Sequence, residues 1–214
     1  MKNAACLEHL NPEHKTKMPT EIQVSKTDGL LILGKRGSGK TYLLSYLVKK
    51  SPYRWLIVDP VASVRRTGML AGVGGGGRAR RRVAVVEPDI LDADLVDSSI
   101  RKAFGMGLNV AVDELSEFPY SKYGSIRELV MRARNYGVGW IGVSRATSEL
   151  HKSIINNADY VFVFRSFEPR FVEYLREYTD VSVEELRGAP RYAFLIIREG
   201  DVIRKNGTAV YFRC

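Results

Sequence analysis

Residues Gly34-Lys35-Arg36-Gly37-Ser38-Gly39-Lys40-Thr41 follow the spacing of a phosphate-binding loop, glycine, four residues, then Gly-Lys-Thr. Each residue type has a chemical reason. Glycines let backbone N–H groups turn inward around a β-phosphate with no Cβ in the way. Lys40 can then reach the β- and γ-phosphates, and the Thr41 hydroxyl can take a position on Mg²⁺. A helix starting near Lys40 adds the positive end of its dipole to the same anion. The candidate contacts to ATP therefore run from Gly34 through Tyr42.

A second group lies downstream. Asn109-Val110-Ala111-Val112-Asp113-Glu114 is an apolar run ending in two acids. Ligands collect at the carboxyl ends of parallel strands. Asp113 there would hold magnesium, a hard cation that prefers oxygen ligands. Glu114 would orient or deprotonate an attacking water. Without a phosphate loop, Asp113 would read as a helix N-cap and Glu114 as a solvated residue.

These groups need a scaffold. Short apolar runs at Leu30–Leu33, Trp55–Val58, Val83–Val86, Val110–Val112, Trp140–Val143 and Tyr160–Phe164 predict strands buried on both faces. Helical stretches at Lys40–Lys50, Leu91–Phe104, Ser125–Tyr136 and Pro169–Tyr178 alternate with them. Such alternation predicts an α/β fold with a mainly parallel sheet and right-handed crossovers. The tail, 190–214, reads as a C-terminal β-hairpin around Glu199-Gly200-Asp201, with Ala209–Arg213 a possible third strand. Residues 1–20 read as an N-terminal arm, and 21–214 as a single domain. Within it, 68–82 is a Gly- and Arg-rich loop; its arginines Arg78, Arg80, Arg81 and Arg82 are candidate DNA contacts, against a loop whose charge serves only solubility.

The whole chain has 214 residues, 45% of them hydrophobic, enough to bury one core. Its formal charge of +9 favours a polyanionic partner. Two cysteines, Cys6 and Cys214, give no disulfide framework, and a reducing setting is expected. Cys6, His9 and His14 lack a fourth ligand for zinc. No apolar stretch is long enough to cross a bilayer, and the first ten residues do not resemble a secretory signal. Trp55 and Trp140 read as core, His151 as a helix-start or packing histidine, and Asp59 as a cap or a polarising group.

From about residue 29 to 166 the chain resembles the FtsK–HerA superfamily of DNA-pumping ATPases, most nearly the genome-packaging ATPases of viruses with internal membranes. Beyond the loop and acid pair, the likeness rests on Ile57-Val58-Asp59-Pro60, on Arg134 to Val138 followed by Trp140 to Ser144, and on Ser148 to His151 with Asn156 to Val161. The resemblance implies a P-loop NTPase of the RecA-like (ASCE) type, a three-layer sandwich. It implies ATP hydrolysis with Mg²⁺ and movement of double-stranded DNA into a capsid. It also implies a homo-oligomeric ring of five or six subunits, capsid or portal-vertex partners and a place in the host cytoplasm or in association with the virion. Alternatives are a HerA-like cellular translocase in repair or conjugation, and an ATP-gated binding switch. The family usually has Gln after the residue matching Ser144 to sense the γ-phosphate; this chain has Arg145. Arg134 matches the arginine supplied in trans, with Arg132, Arg145 and Arg165 as rivals.

Overall fold

The computed structural model describes residues 21–70, 82–89, 92–118, 124–145, 150–165, 192–198, 201–205 and 209–212, with isolated positions between them. The expected arm, Arg78, Arg80, Arg81, Ser148, Glu149 and most of the expected helix at 169–178 lie outside the described residues.

The central layer is an eight-stranded sheet in the order β4-β3-β5-β6-β2-β7-β8-β9. Its first six strands are β4 (Val83–Val86), β3 (Trp55–Val58), β5 (Asn109–Val112), β6 (Trp140–Ser144), β2 (Gly29–Leu33) and β7 (Tyr160–Phe164), all mutually parallel. Every residue of β2, β3, β5, β6 and β7 is buried, which is why these runs show no alternation of polar and apolar residues. β8 (Phe194–Arg198) and β9 (Asp201–Lys205) add antiparallel at the β7 side as the expected hairpin.

Successive side chains leave the sheet on opposite faces. Leu31, Leu33, Val58, Val110 and Val112 pack under α3 (Ala93–Gly105), α4 (Gly124–Arg132) and the short α5 (Lys152–Asn156) through Val96, Ile100, Leu129 and Ile154. Leu30, Ile32, Trp55, Ile57 and Ile141 face the other way, onto Leu44 and Leu47 of α1 (Lys40–Lys50) and Val64 of the single-turn α2 (Ser63–Arg66). Helices on both faces of the sheet make the three layers. Trp55 and Trp140 are core, as expected.

One expectation fails. The run Ala209–Arg213 does not extend the hairpin: β10 (Ala209–Phe212) pairs in parallel with β1 (Glu21–Val24), a strand the sequence pattern did not single out. Ile22 and Val24 of β1 are buried in the core on the α1 face, so the backbone between them needs a hydrogen-bonding partner. β10 supplies it from the far end of the chain, a pairing that local spacing does not encode.

Candidate active site

β2 is hydrogen-bonded on both sides, by β6 and β7, so the loop that leaves Leu33 starts from the middle of the sheet. The Gly34 N–H donates to the Ser144 carbonyl at 3.3 Å, and a Cβ on Gly34 would stand 2.7 Å from Cβ of Phe164. Only glycine fits that approach. At the other end of the loop Gly39 takes φ +104° to turn the chain into α1. Lys35, Arg36 and Gly37 face solvent, whereas Ser38 is buried and its hydroxyl finds no hydrogen-bond partner among the described residues.

Lys40 is only 6% exposed and donates from Nζ to the Lys35 carbonyl at 2.9 Å, drawing the loop around its own ammonium. Burial lowers its pKa, and the carboxylates of Glu114 and Asp113 oppose that shift. A glycine turn no side chain could fill, an orphaned buried hydroxyl, a buried ammonium and a helix N-terminus together suit a polyphosphate.

β5 lies between β3 and β6 and delivers the acids to the same edge. Asp113 is fully buried; its Oδ2 accepts from Thr41 Oγ1 at 3.0 Å and, in a short contact, from Ser63 Oγ. Ser63 Oγ also lies 3.1 Å from Oδ1 of Asp59, so a single hydroxyl proton stands between two buried carboxylates. Asp59 in turn accepts from the N–H groups of Ser63 and Val64, at 3.1 and 2.7 Å, and so caps α2. Sequence reasoning offered Asp59 as a cap of the turn before Val61 rather than of α2, and missed Ser63; its one signal was a serine shortly after an Asp-Pro turn.

Burial raises the Asp113 pKa; the hydrogen bonds from Ser63 and Thr41 oppose this, and the nearby charges of Glu114 and Asp59 add to it. A desolvated carboxylate beside a threonine hydroxyl is an oxygen set suited to a hard divalent cation.

Glu114 is 7% exposed and adopts φ 53°, ψ 49°, the left-handed region that a residue with a Cβ seldom enters. Arg145 donates to its Oε1 from Nε at 3.0 Å and from a terminal nitrogen at 2.8 Å. Nε lies slightly nearer Oε2, at 2.8 Å, but off the hydrogen-bonding axis, so Oε2 accepts nothing among the described residues. This contact raises the Arg145 pKa. Arg145, at the position where the resembling family usually has Gln, thus grips the acid.

Lys40, Thr41, Ser63, Glu114 and Arg145 share a cleft of about 520 Å³ with Tyr42 and with Tyr192, which no motif had signalled.

Arg134 is elsewhere. Its guanidinium donates to Asp159 Oδ1 at 2.7 Å, and Asp159 Oδ2 accepts from the N–H of Gly29, the first residue of β2. The phosphate loop follows the last residue of β2, roughly 13 Å along the strand at ~3.3 Å per residue. Arg134 therefore borders a separate groove of about 420 Å³, with Asp28, Trp140 and Tyr160, at the opposite edge of the sheet. Burial raises the Asp28 pKa there, and nearby Asp159 adds to it.

Arg132 is exposed at the end of α4 and Arg165 follows β7. Arg82 gives a terminal nitrogen to the Ser51 carbonyl in a short contact, tying the start of β4 to the end of α1. His151 caps α5, accepting at Nδ1 from the Ser153 N–H, and stacks on Tyr120 with ring centroids 4.4 Å apart.

A glycine loop between a central strand and its helix, with two acids at the tip of β5, one strand removed across β6, gives this chain the P-loop ATPase fold. Among solved structures similar to it is the genome packaging NTPase B204 from Sulfolobus turreted icosahedral virus 2 in complex with sulfate. It superposes with a TM-score of 0.69 at 18% identity, over 88% of this chain and all of that one. The same NTPase in complex with ATP-gammaS gives 0.64 at 19% identity, over 80% of this chain and 92% of that one. The pCW3 conjugation coupling protein TcpA with ATPgS gives 0.54 at 16%, over 86% of this chain and 60% of that one. These neighbours are consistent with the FtsK–HerA resemblance, and at such identities the likeness is one of fold. No protein-family model matches the chain, and no curated protein matches its sequence.

Proposed function

We propose that this chain is an ATPase that moves double-stranded DNA, working as a ring and packaging DNA into a viral capsid. The observation that carries the reading is the hydrogen bond from Thr41 to Asp113, with Glu114 and Lys40 in the same cleft. The amides of residues 34–41 and Lys40 hold the triphosphate, while Tyr42 borders it. Thr41 and Asp113 hold Mg²⁺, which when bound offsets the charge of the phosphates. Glu114 orients the attacking water and accepts its proton once it leaves Arg145. Arg134 reaches the site of a neighbouring subunit, the only one open to it given its position at the far edge of the sheet. Arg78, Arg80, Arg81 and Arg82, with the net charge of +9, serve DNA. Such a protein acts in the host cytoplasm beside capsid or portal-vertex proteins.

The likeness to a genome packaging NTPase over its whole length supports the viral reading. The likeness to a conjugation coupling protein supports a cellular translocase as the second.

The test measures ATP hydrolysis and oligomeric state with and without duplex DNA. Hydrolysis that rises with DNA in a salt-sensitive way, on oligomers, is the expected result. An equal rate with and without DNA, on monomers throughout, removes translocation. Glu114→Gln separates a motor from a switch: a motor loses turnover by about 10²–10⁴ while still binding ATP, whereas a switch keeps its ATP-dependent association.

A further inference from the structure

The antiparallel pairing of β8 with β7 has a consequence at the cleft. β7 runs parallel to β2, so its last residue, Phe164, ends at the phosphate-loop edge. β8 runs the other way, with Phe194 opposite Phe164, so the residues just before Phe194 emerge at that edge too. Tyr192 is one of them. Its ring is in contact range of the loop itself: a Cβ on Gly39 would lie 3.5 Å from Tyr192 Cδ1. Beneath it the rings of Phe164 and Phe194 are packed with centroids 5.2 Å apart, and Phe194 reaches on to Phe162 at 5.7 Å.

Tyr192 nevertheless remains 57% exposed, on the wall of the cleft that holds Lys40, Thr41 and Glu114. Its backbone has φ 67°, a conformation costly for an aromatic residue. A bulky side chain kept in such a conformation is held by its surroundings, and residues of this kind gather where a ligand is gripped. Two strand spacings, roughly 10 Å at ~4.8 Å each, lie between β8 and the strand that feeds the loop, with β7 between them. That offset sets Tyr192 to one side of the phosphates, where it offers a neutral π-face rather than a charge.

We propose that Tyr192 stacks on the base of the bound nucleoside triphosphate and so is a binding residue contributed by the C-terminal hairpin. This rests on the site being a nucleotide site. Stacking accepts any base with a π-face, so Tyr192 adds affinity for nucleotides over bare polyphosphate without choosing among purines.

The test compares dissociation constants for ATP and for inorganic tripolyphosphate, which has no base. Tyr192→Ala is expected to weaken ATP about tenfold, within the range of aromatic–base stacking, and to change tripolyphosphate less than about twofold. Tyr192→Phe keeps the ATP affinity. Tyr192→Gly, whose backbone takes φ 67° without strain, repeats the alanine result and guards against a folding defect. Lys40→Ala weakens both ligands. An ATP affinity that survives Tyr192→Ala overturns this proposal alone, as does equal weakening of both ligands. Failure of the unaltered chain to bind ATP overturns the nucleotide reading and this one together.

Discussion

The two edges of one sheet treat charge in opposite ways. At the carboxyl ends of the strands Lys40, Asp113 and Glu114 are at most 7% exposed. At the amino ends Arg134 and Asp159 keep 65% and 32% of their side-chain surface in water. An exposed ion pair such as Arg134–Asp159 contributes about 0–1 kcal/mol, because water and salt already screen both charges. Buried charges lose their hydration and gain it back only through partners, so they are retained where an incoming ligand completes them. The first edge is shaped for a polyanion and its cation, the second for an encounter made in solvent. Arg134 belongs to the second, so the part in hydrolysis proposed for it would have to be played at the site of a second copy of the chain.

Three measurements test this contrast. The largest effect is expected from Arg134→Ala: turnover of DNA-bound assemblies falls by roughly 10³–10⁵, while the folding stability of the chain changes by no more than about 1 kcal/mol. A fall under tenfold removes Arg134 from hydrolysis and leaves the exposed edge with no part in the chemistry.

A smaller effect tests the buried edge. An acid whose folded-state pKa lies above its ordinary value of 3.8 is destabilising once the pH passes the folded value. Below 3.8 it is protonated whether folded or unfolded, and the penalty vanishes. Asp113→Asn should therefore melt higher than the parent at neutral pH, by about 2–4 °C if the relief is ~1 kcal/mol. That advantage should fade as the pH approaches and passes below 3.8, and added Mg²⁺ with ATP should cancel it at neutral pH by stabilising only the parent. Identical melting at neutral pH would mean that Ser63 and Thr41 already compensate the charge.

The smallest effect belongs to Asp159→Asn. An amide oxygen can still accept from Gly29, so only the ion pair is lost, at about 0–1 kcal/mol. A shift of several degrees in melting temperature would show that the exposed edge is structural rather than available.

The parts of this molecule that the sequence announces are those in which chemistry dictates spacing over a few residues. The loop from Gly34 to Thr41 is one, since its backbone must turn around an anion. The run ending at Asp113 and Glu114 is another, and the strands buried on both faces were readable as apolar runs. Ser63, Tyr192 and the grip of Arg145 on Glu114 were not readable. Each depends on which strands become neighbours: Ser63 meets Asp113 because β3 pairs with β5, and Tyr192 meets Gly39 because β8 reverses against β7. The mispairing assigned to Ala209–Arg213 has the same origin, for its partner lies nearly the whole chain away at Glu21–Val24.

That pairing bears on how the domain carries load. β1 and β10 point the same way, with Glu21 beside Ala209 and Val24 beside Phe212. Tension applied at residues 21 and 212 would therefore slide one strand along the other and strain all their cross-links at once. An antiparallel closure would open like a zip, one link at a time. A domain that converts nucleotide chemistry into force would thus have its two described ends fastened by a shear joint.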